Sequence, residues 1–220
     1  GDSGEATVSP TTLTFTSGNW NSAQTVTVTG VNDSLIDGSQ TTTITLSVVD
    51  AISDDDFDSL ADKTVSVSTT DNDTASFTMA QSSGSTAVSE SGSTDTFTVV
   101  LGAQPASNVV ISVTSGDTGE ATVSPATLTF TSGNWNSAQT VTVTGVNDDL
   151  VDGTQTSTIT MSVVDASSDN NFDSLADQTV SVTTTDDDTA GFTVVQSGGS
   201  TSVAESGSTD TFTVVLNAQP

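Results

Sequence analysis

Cysteine, histidine and tyrosine are absent from these 220 residues, and lysine and arginine together contribute one residue, Lys63. Without Cys or His there are no disulfides, no thiolate or imidazole metal sites, and no His-based catalytic relay. Against that single cation stand 24 Asp and 4 Glu, for a net charge of −27. A chain so acidic has no basic patch to meet phosphates or anionic headgroups, which excludes nucleic acid and direct membrane contact as partners. No apolar run reaches the ~20 residues that span a bilayer, and no signal-peptide pattern opens the chain. Aromatic residues make up 5% of the sequence, which leaves few platforms for stacking a ligand.

What is present is a long internal repeat. Residues 1–105 align without gaps onto 116–220, differing at about 20 positions, so the period is 115 residues. That is too long for a solenoid rung and right for a whole β-domain. One complete repeat phases to 74–188. It is preceded by the C-terminal part of another (1–73) and followed by the N-terminal part of a third (189–220). Gly1 falls inside a repeat, so the chain reads as a window on something longer. The two end pieces together lack only a counterpart of 106–115, one strand's worth, and are expected to carry raw strand edges.

Within the complete repeat the apolar period is two, with Thr and Ser on the alternate face. Strands are expected over 75–80 and 85–88, 94–101, 107–114, 120–130 (broken at Pro125), 138–144, 155–164 and 178–185. The inward set is Phe97, Val99, Leu101, Val109, Ile111, Val113, Leu128, Phe130, Val141, Val143, Ile159, Met161, Val163, Val180 and Val182. About seven short strands divided by Gly, Pro, Asn and Asp turns predict an all-β fold of tandem immunoglobulin-like sandwiches. No long helix is expected; the acidic 165–177 segment has room for one turn. Trp135 (Trp20 upstream) reads as a plug at one end of the core rather than a sugar platform. The Thr-x-Thr rows follow from β-propensity; a repeat of this length does not stack them into an ice-binding array.

The acids are placed by strand parity. If the 145–153 loop (Asp148, Asp149, Asp152) lies at one pole, the strand ending in Asp186, Asp187 and Asp188 returns to that pole. A strand over 85–88 running parallel to it delivers Glu90, and the next pair of strands delivers Asp117 and Glu120. Nine carboxylates from separate loops thus meet. Turn preference explains an isolated Asp such as Asp50, Asp95 or Asp210. It does not explain why every loop at one end is acidic. A cluster of hard oxygens without N or S donors suits Ca²⁺, which takes six to eight such ligands; Mg²⁺ prefers fewer carboxylates and more water. The opposite pole is acidic too, with Asp165, Asp169, Asp173 and Asp177. In a tandem chain the two poles abut, so calcium at the junction is expected to stiffen it.

These motifs resemble the Calx-β domain, found in tandem in large secreted bacterial adhesins and surface proteins. The resemblance rests on VSESG (88–92), on LTF followed by TVTVTGVNDDLVDG (128–153), on TSTITMSV (156–163) and on the closing TVSVTTTDDD (179–188). It implies several Ca²⁺ ions at one end of a β-sandwich, with Glu90, Asp117, Asp148, Asp149, Asp152, Asp186, Asp187 and Asp188 as ligands. In the upstream copy it implies Asp33, Asp37, Asp71 and Asp73. Two departures stand out: Gln155 (Gln40) replaces a frequent Glu, and Asn72 stands where the second copy has Asp187.

No residue set suggests catalysis: glycoside hydrolysis by an Asp pair needs a cleft that short loops do not build. Lys63 is matched by Gln178 in the next copy, so a repeated Lys–Asn isopeptide bond is ruled out. The expected function is a calcium-stiffened structural extender of a bacterial surface adhesin or extracellular fibre. Its expected partners are neighbouring repeats, head to tail. Two alternatives are a calcium-dependent glycan- or protein-binding module, and a filament subunit whose incomplete ends pair between copies by strand addition.

Overall fold

A computed structural model describes residues 1–219. Among the described residues the helical segments are short 3-10 turns, and the remainder is strand and loop. Two compact units are present: Gly1–Ala75 with Ala103–Ala106, and Ser76–Gly102 with Ser107 onward.

The first unit contains β1 (Ala6–Ser9), β2 (Thr27–Gly30), β3 (Gln40–Leu46) and β4 (Lys63–Thr69). They form two antiparallel pairs, β1 with β2 and β3 with β4. Large apolar side chains stay open to solvent here: Trp20 is 71% exposed, Phe15 53%, Phe57 55% and Val65 50%.

The second unit contains β5 (Phe77–Gln81), β6 (Thr86–Ser89), β7 (Thr94–Leu101), β8 (Val109–Ser115), β9 (Ala121–Ser124), β10 (Thr127–Phe130), β11 (Gln139–Gly145), β12 (Gln155–Val163) and β13 (Gln178–Thr185). Beyond them lies a hairpin-like pair, β14 (Phe192–Gln196) with β15 (Phe212–Leu216). The nine strands make two sheets, β10-β8-β12-β13-β6 and β5-β7-β11-β9. Alternation puts every second residue into the space between them. Phe97, Val99, Val109, Ile111, Phe130, Val141, Val143, Ile159, Met161, Val180 and Val182 have no exposed surface. Val113, Leu128 and Leu101 are nearly as deep. The unit is a β-sandwich. Pro125, with no N–H to give to a ladder, breaks the predicted 120–130 strand, and its two halves join different sheets.

Two details differ from the sequence expectation. Val163 is only half-buried, because it ends β12 where the chain leaves the sheet. Phe172, assigned to the acidic loop, is fully buried. Its N–H donates to the carbonyl of Asp169 and its carbonyl accepts from Leu175, so a tight turn folds the ring inward.

The pairing that positions the pole is β6 with β13, which run parallel with Thr86 opposite Val182 and Ser89 opposite Thr185. The predicted parallel strand therefore delivers Glu90 beside the end of β13, where its N–H donates to Thr185 at 3.1 Å. Gly145 makes this approach possible: a Cβ there would lie 2.1 Å from the carbonyl oxygen of Ser89. Any side chain at 145 would push the Glu90 turn away.

Candidate metal centre

Four loops of the second unit meet at one pole. The turn after β6 carries Glu90, the turn before β9 carries Glu120, the loop after β11 carries Asp148, and the end of β13 carries Asp186 and Asp188. Main-chain bonds lock them together. Val146 donates to the carbonyl of Glu120 at 2.9 Å, and Gly145 to that of Ser93 at 3.0 Å. Gly153 donates to Asp186 Oδ2 at 2.7 Å, tying the acidic loop to the end of β13.

Two sets of carboxylate oxygens lie within 4.8 Å of one another: Glu90, Asp186 and Asp188; and Glu90, Glu120 and Asp148. Glu90 belongs to both. Ligand oxygens of one Ca²⁺ ion lie at most twice ~2.4 Å apart, so each set is compact enough to share one hard cation. The donor set is carboxylate alone, which suits Ca²⁺ or a similar ion and no soft metal.

Glu90 is 1% exposed, yet neither of its carboxylate oxygens accepts a hydrogen bond; Oε2 of Glu120, 9% exposed, is likewise unpartnered. Buried carboxylates are normally paired or hydrogen-bonded, because an isolated charge in low dielectric is costly. Desolvation raises the pKa of Glu90 first, and the charges of Asp148, Asp186 and Glu120 raise it further; the nearby N–H of Asp187 opposes them. Glu120 is raised by desolvation, then by Asp152, Asp117, Asp148 and Asp186. Asp188 is raised by desolvation, then by Asp149, Asp187, Asp186 and Asp148. Asp186 goes the other way, held low by the N–H groups of Asp188 and Gly153.

Of the eight ligands expected in this repeat, Glu90, Asp148, Asp186 and Asp188 fall in the two oxygen sets. Asp117, Asp149, Asp152 and Asp187 are exposed members of the same pole outside those sets. Glu120, which parity gathered but the ligand set implied by the Calx-β resemblance omitted, is inside. Its signal in the sequence was strand parity; in the structure its carbonyl also anchors the acidic loop by accepting from Val146. Asp117 shapes its own turn, with Oδ1 accepting from Gly119 at 2.9 Å. Gln155, standing in place of a frequent Glu, donates from Nε2 to the carbonyl of Asp152 at 3.0 Å and braces the loop; Gln40 does the same to Asp37 at 2.8 Å.

In the first unit Asp71 accepts from the N–H groups of Asp37, Gly38 and Asp73. Asp33 Oδ1 accepts from Leu35 at 2.8 Å. Asp33, Asp37, Asp71 and Asp73 form no three-member oxygen set among the described residues. Asp95, expected as a turn residue, instead opens β7: it accepts from Ser82 Oγ and from the N–H groups of Ala87 and Thr96. Asp210 repeats this with Ser197, Ser202 and Thr211.

No family model matches the chain, and no curated protein does. Among solved structures, domains 4 and 5 of the S-layer protein SbsC superpose with a TM-score of 0.36 and 21% identity, covering 73% of this chain and 62% of that one. The longer rSbsC(31-844) gives 0.37 and 19%, over 87% and 26%. The Caenorhabditis elegans MSP-domain protein SSP-19 gives 0.31 and 16%, over 46% and 92%.

Proposed function

We propose that this chain is a calcium-stiffened structural extender, built from Calx-β-like repeats, of a bacterial cell-surface adhesin or extracellular fibre. The observation that carries the reading is Glu90, a carboxylate sealed from water with both oxygens unpartnered, shared by two sets of acids. A divalent ion in each set would supply the missing partner, with Glu90 bridging. Near-identity of the two copies supports a spacer, since length and rigidity tolerate repetition and a recognition site gains nothing from it. The role needs no catalysis, and the protein is proposed to be no enzyme. Titration calorimetry of the whole chain with Ca²⁺ and Mg²⁺ tests the reading. Calcium uptake is expected with magnesium far weaker; no calcium heat at millimolar ion would sink it. Solution scattering in calcium and in chelator tests stiffening, and identical profiles would count against it.

A second reading is the filament subunit, in which the apolar faces open in both partial repeats would be covered by another copy. Phe192 is 67% exposed, Val194 48%, Phe212 59% and Val215 62%, and the exposed Phe15, Phe57 and Val65 are counterparts of the buried Phe130, Phe172 and Val180. In the complete repeat β11 is covered by β7, with Val141 opposite Phe97. The same register would set Val26 of one copy opposite Phe212 of another. Species larger than a monomer that shrink on dilution would support this reading over a simple tandem segment.

A further inference from the structure

The loop that carries Asp148 has a second, outward-facing edge. In the second unit, the N–H of Gln219 donates to the carbonyl of Asp149 at 2.6 Å, and Leu150 and Gln219 form an isolated parallel bridge. The first unit contains the same contact one period earlier. Gln104 donates to the carbonyl of Ser34 at 2.7 Å, Ile36 donates back to Gln104 at 3.4 Å, and Leu35 bridges Gln104.

The acceptor residue changes between the copies, Ser34 against Asp149, while the pairing persists, and the bond runs from N–H to carbonyl in both. Recognition is therefore by main chain. What stays constant in the sequence is Ala-Gln-Pro (103–105 and 218–220), whose Gln lies shortly after β7 and β15. Proline pushes the residue before it into extended backbone, so the Gln presents its N–H and C=O as a one-residue strand. Each acidic loop offers the matching edge, which is strand addition at its shortest.

The geometry of the loop ties this edge to the pole. Asp148 Oδ1 accepts from the N–H of Leu150 at 2.7 Å, while the same carboxylate belongs to the Glu90–Glu120 set. The peptide carbonyl between those residues, that of Asp149, is the one Gln219 reads. Fixing the Asp148 carboxylate thus orients the carbonyl that takes the next repeat's turn. We infer that the main-chain edge of each acidic loop is the docking surface for the Ala-Gln-Pro turn of the following repeat, and that seating the turn and binding a cation at the pole are coupled. The docking stands on hydrogen bonds alone; the coupling rests on the calcium reading above. Coupling of this kind is reciprocal, so a seated turn tightens the ion by the factor by which the ion protects the turn.

Amide hydrogen exchange on the whole chain, in Ca²⁺ and in chelator, tests both halves. The Gln104 and Gln219 amides are expected to be protected, and the Gln219 amide to exchange roughly tenfold more slowly with calcium. Free-peptide exchange at both Gln amides in calcium would overturn the docking. Equal protection in calcium and chelator, with calcium bound, would overturn the coupling. Gln219→Pro removes the donor near the chain end, where folding of the sandwich does not depend on it, and is expected to weaken calcium binding several-fold. Gln219→Ala keeps the N–H and is expected to bind like wild type; equal weakening in both variants would overturn the main-chain mechanism. If no calcium binds at all, the reading under Proposed function and the coupling both fall, while protection of the Gln amides still decides the docking.

Discussion

Two buried acids at opposite poles of the second unit make opposite use of their charge. Asp169 is 6% exposed and satisfied: Oδ2 accepts from Ser107 at 2.9 Å, Oδ1 from Asn171 at 3.0 Å, and its turn folds Phe172 into the core. Glu90 is 1% exposed and accepts nothing. The difference lies in the direction of the nearby backbone. At the Asp169 pole two N–H groups bond the carboxylate; at the Glu90 pole the N–H of Asp187 lies nearby without bonding it, and the other close groups are carboxylates. One acid closes a loop by itself; the other has no hydrogen-bond partner within the chain, the gap that the proposed cation would fill.

That contrast is broken most sharply by metal. At free Ca²⁺ about a hundredfold above its dissociation constant, the folded state should gain about 2.7 kcal/mol, on the order of 10 °C in the melting temperature of the second unit. Glu90→Gln should remove most of that rise, while in chelator the variant melts no lower than wild type, because a buried repulsive charge has gone. Calorimetry with and without calcium checks both statements.

Asp169→Ala should do the converse. It strands the N–H groups of Ser107 and Asn171 and loosens the seat of Phe172, at a cost of about 2–3 kcal/mol. The calcium-induced rise should survive, because nothing at the far pole has changed.

Acidity sharpens the comparison next. Glu90, Glu120 and Asp188 have folded pKa values raised above the ordinary carboxylate range. The stability they contribute is present below that range and is lost as pH rises through their folded values. Ion-free protein should therefore melt higher near pH 5 than at pH 7, against a smaller opposing contribution from Asp186. In calcium the trend should reverse, since protons compete with the ion. Asp95 is held low by Ser82 Oγ and the N–H groups of Ala87 and Thr96, so its contribution persists to lower pH and fades only as pH falls through its folded value. Melting curves from pH 4 to 7 in chelator and in calcium test the inversion; parallel trends would refute it. The smallest effect belongs to Asp210→Asn, which touches neither pole and should leave the calcium response unchanged.

Much of this was legible before any coordinates. Alternation located the strands because a residue on a pleated sheet faces either the core or water, and parity then gathered the acids. What the pattern could not carry was context for single residues. Phe172 sits in a run of Asp, Asn and Ser with no periodicity, so its burial depends on a turn that Asp169 builds. Asp95 reads like any turn aspartate, yet it opens a strand and latches the β5–β6 corner. Glu120 and Asp117 are three residues apart in one loop; the carbonyl of Glu120 is held by Val146 and Thr184 and its side chain is buried in the cluster, whereas the exposed Asp117 spends its carboxylate on its own turn. Phe15 and Phe130 share the same flanking sequence and differ in exposure by 53% against none, because burial belongs to the strands that cover a residue.

The parallel β6–β13 ladder has a consequence for biosynthesis. It joins Thr86 to Val182, nearly the whole repeat apart, so a nascent repeat cannot shut until its last strand has left the ribosome. The equivalent strand of the preceding repeat, 63–69, has by then already emerged and can compete for the edge of β6. Repetition of sequence thus carries a risk of miswired pairing, and substitutions between copies at the strand 86–89, such as Ala87 against Ser202 and Ser89 against Ala204, fall where distinguishing one's own strand from a neighbour's matters most.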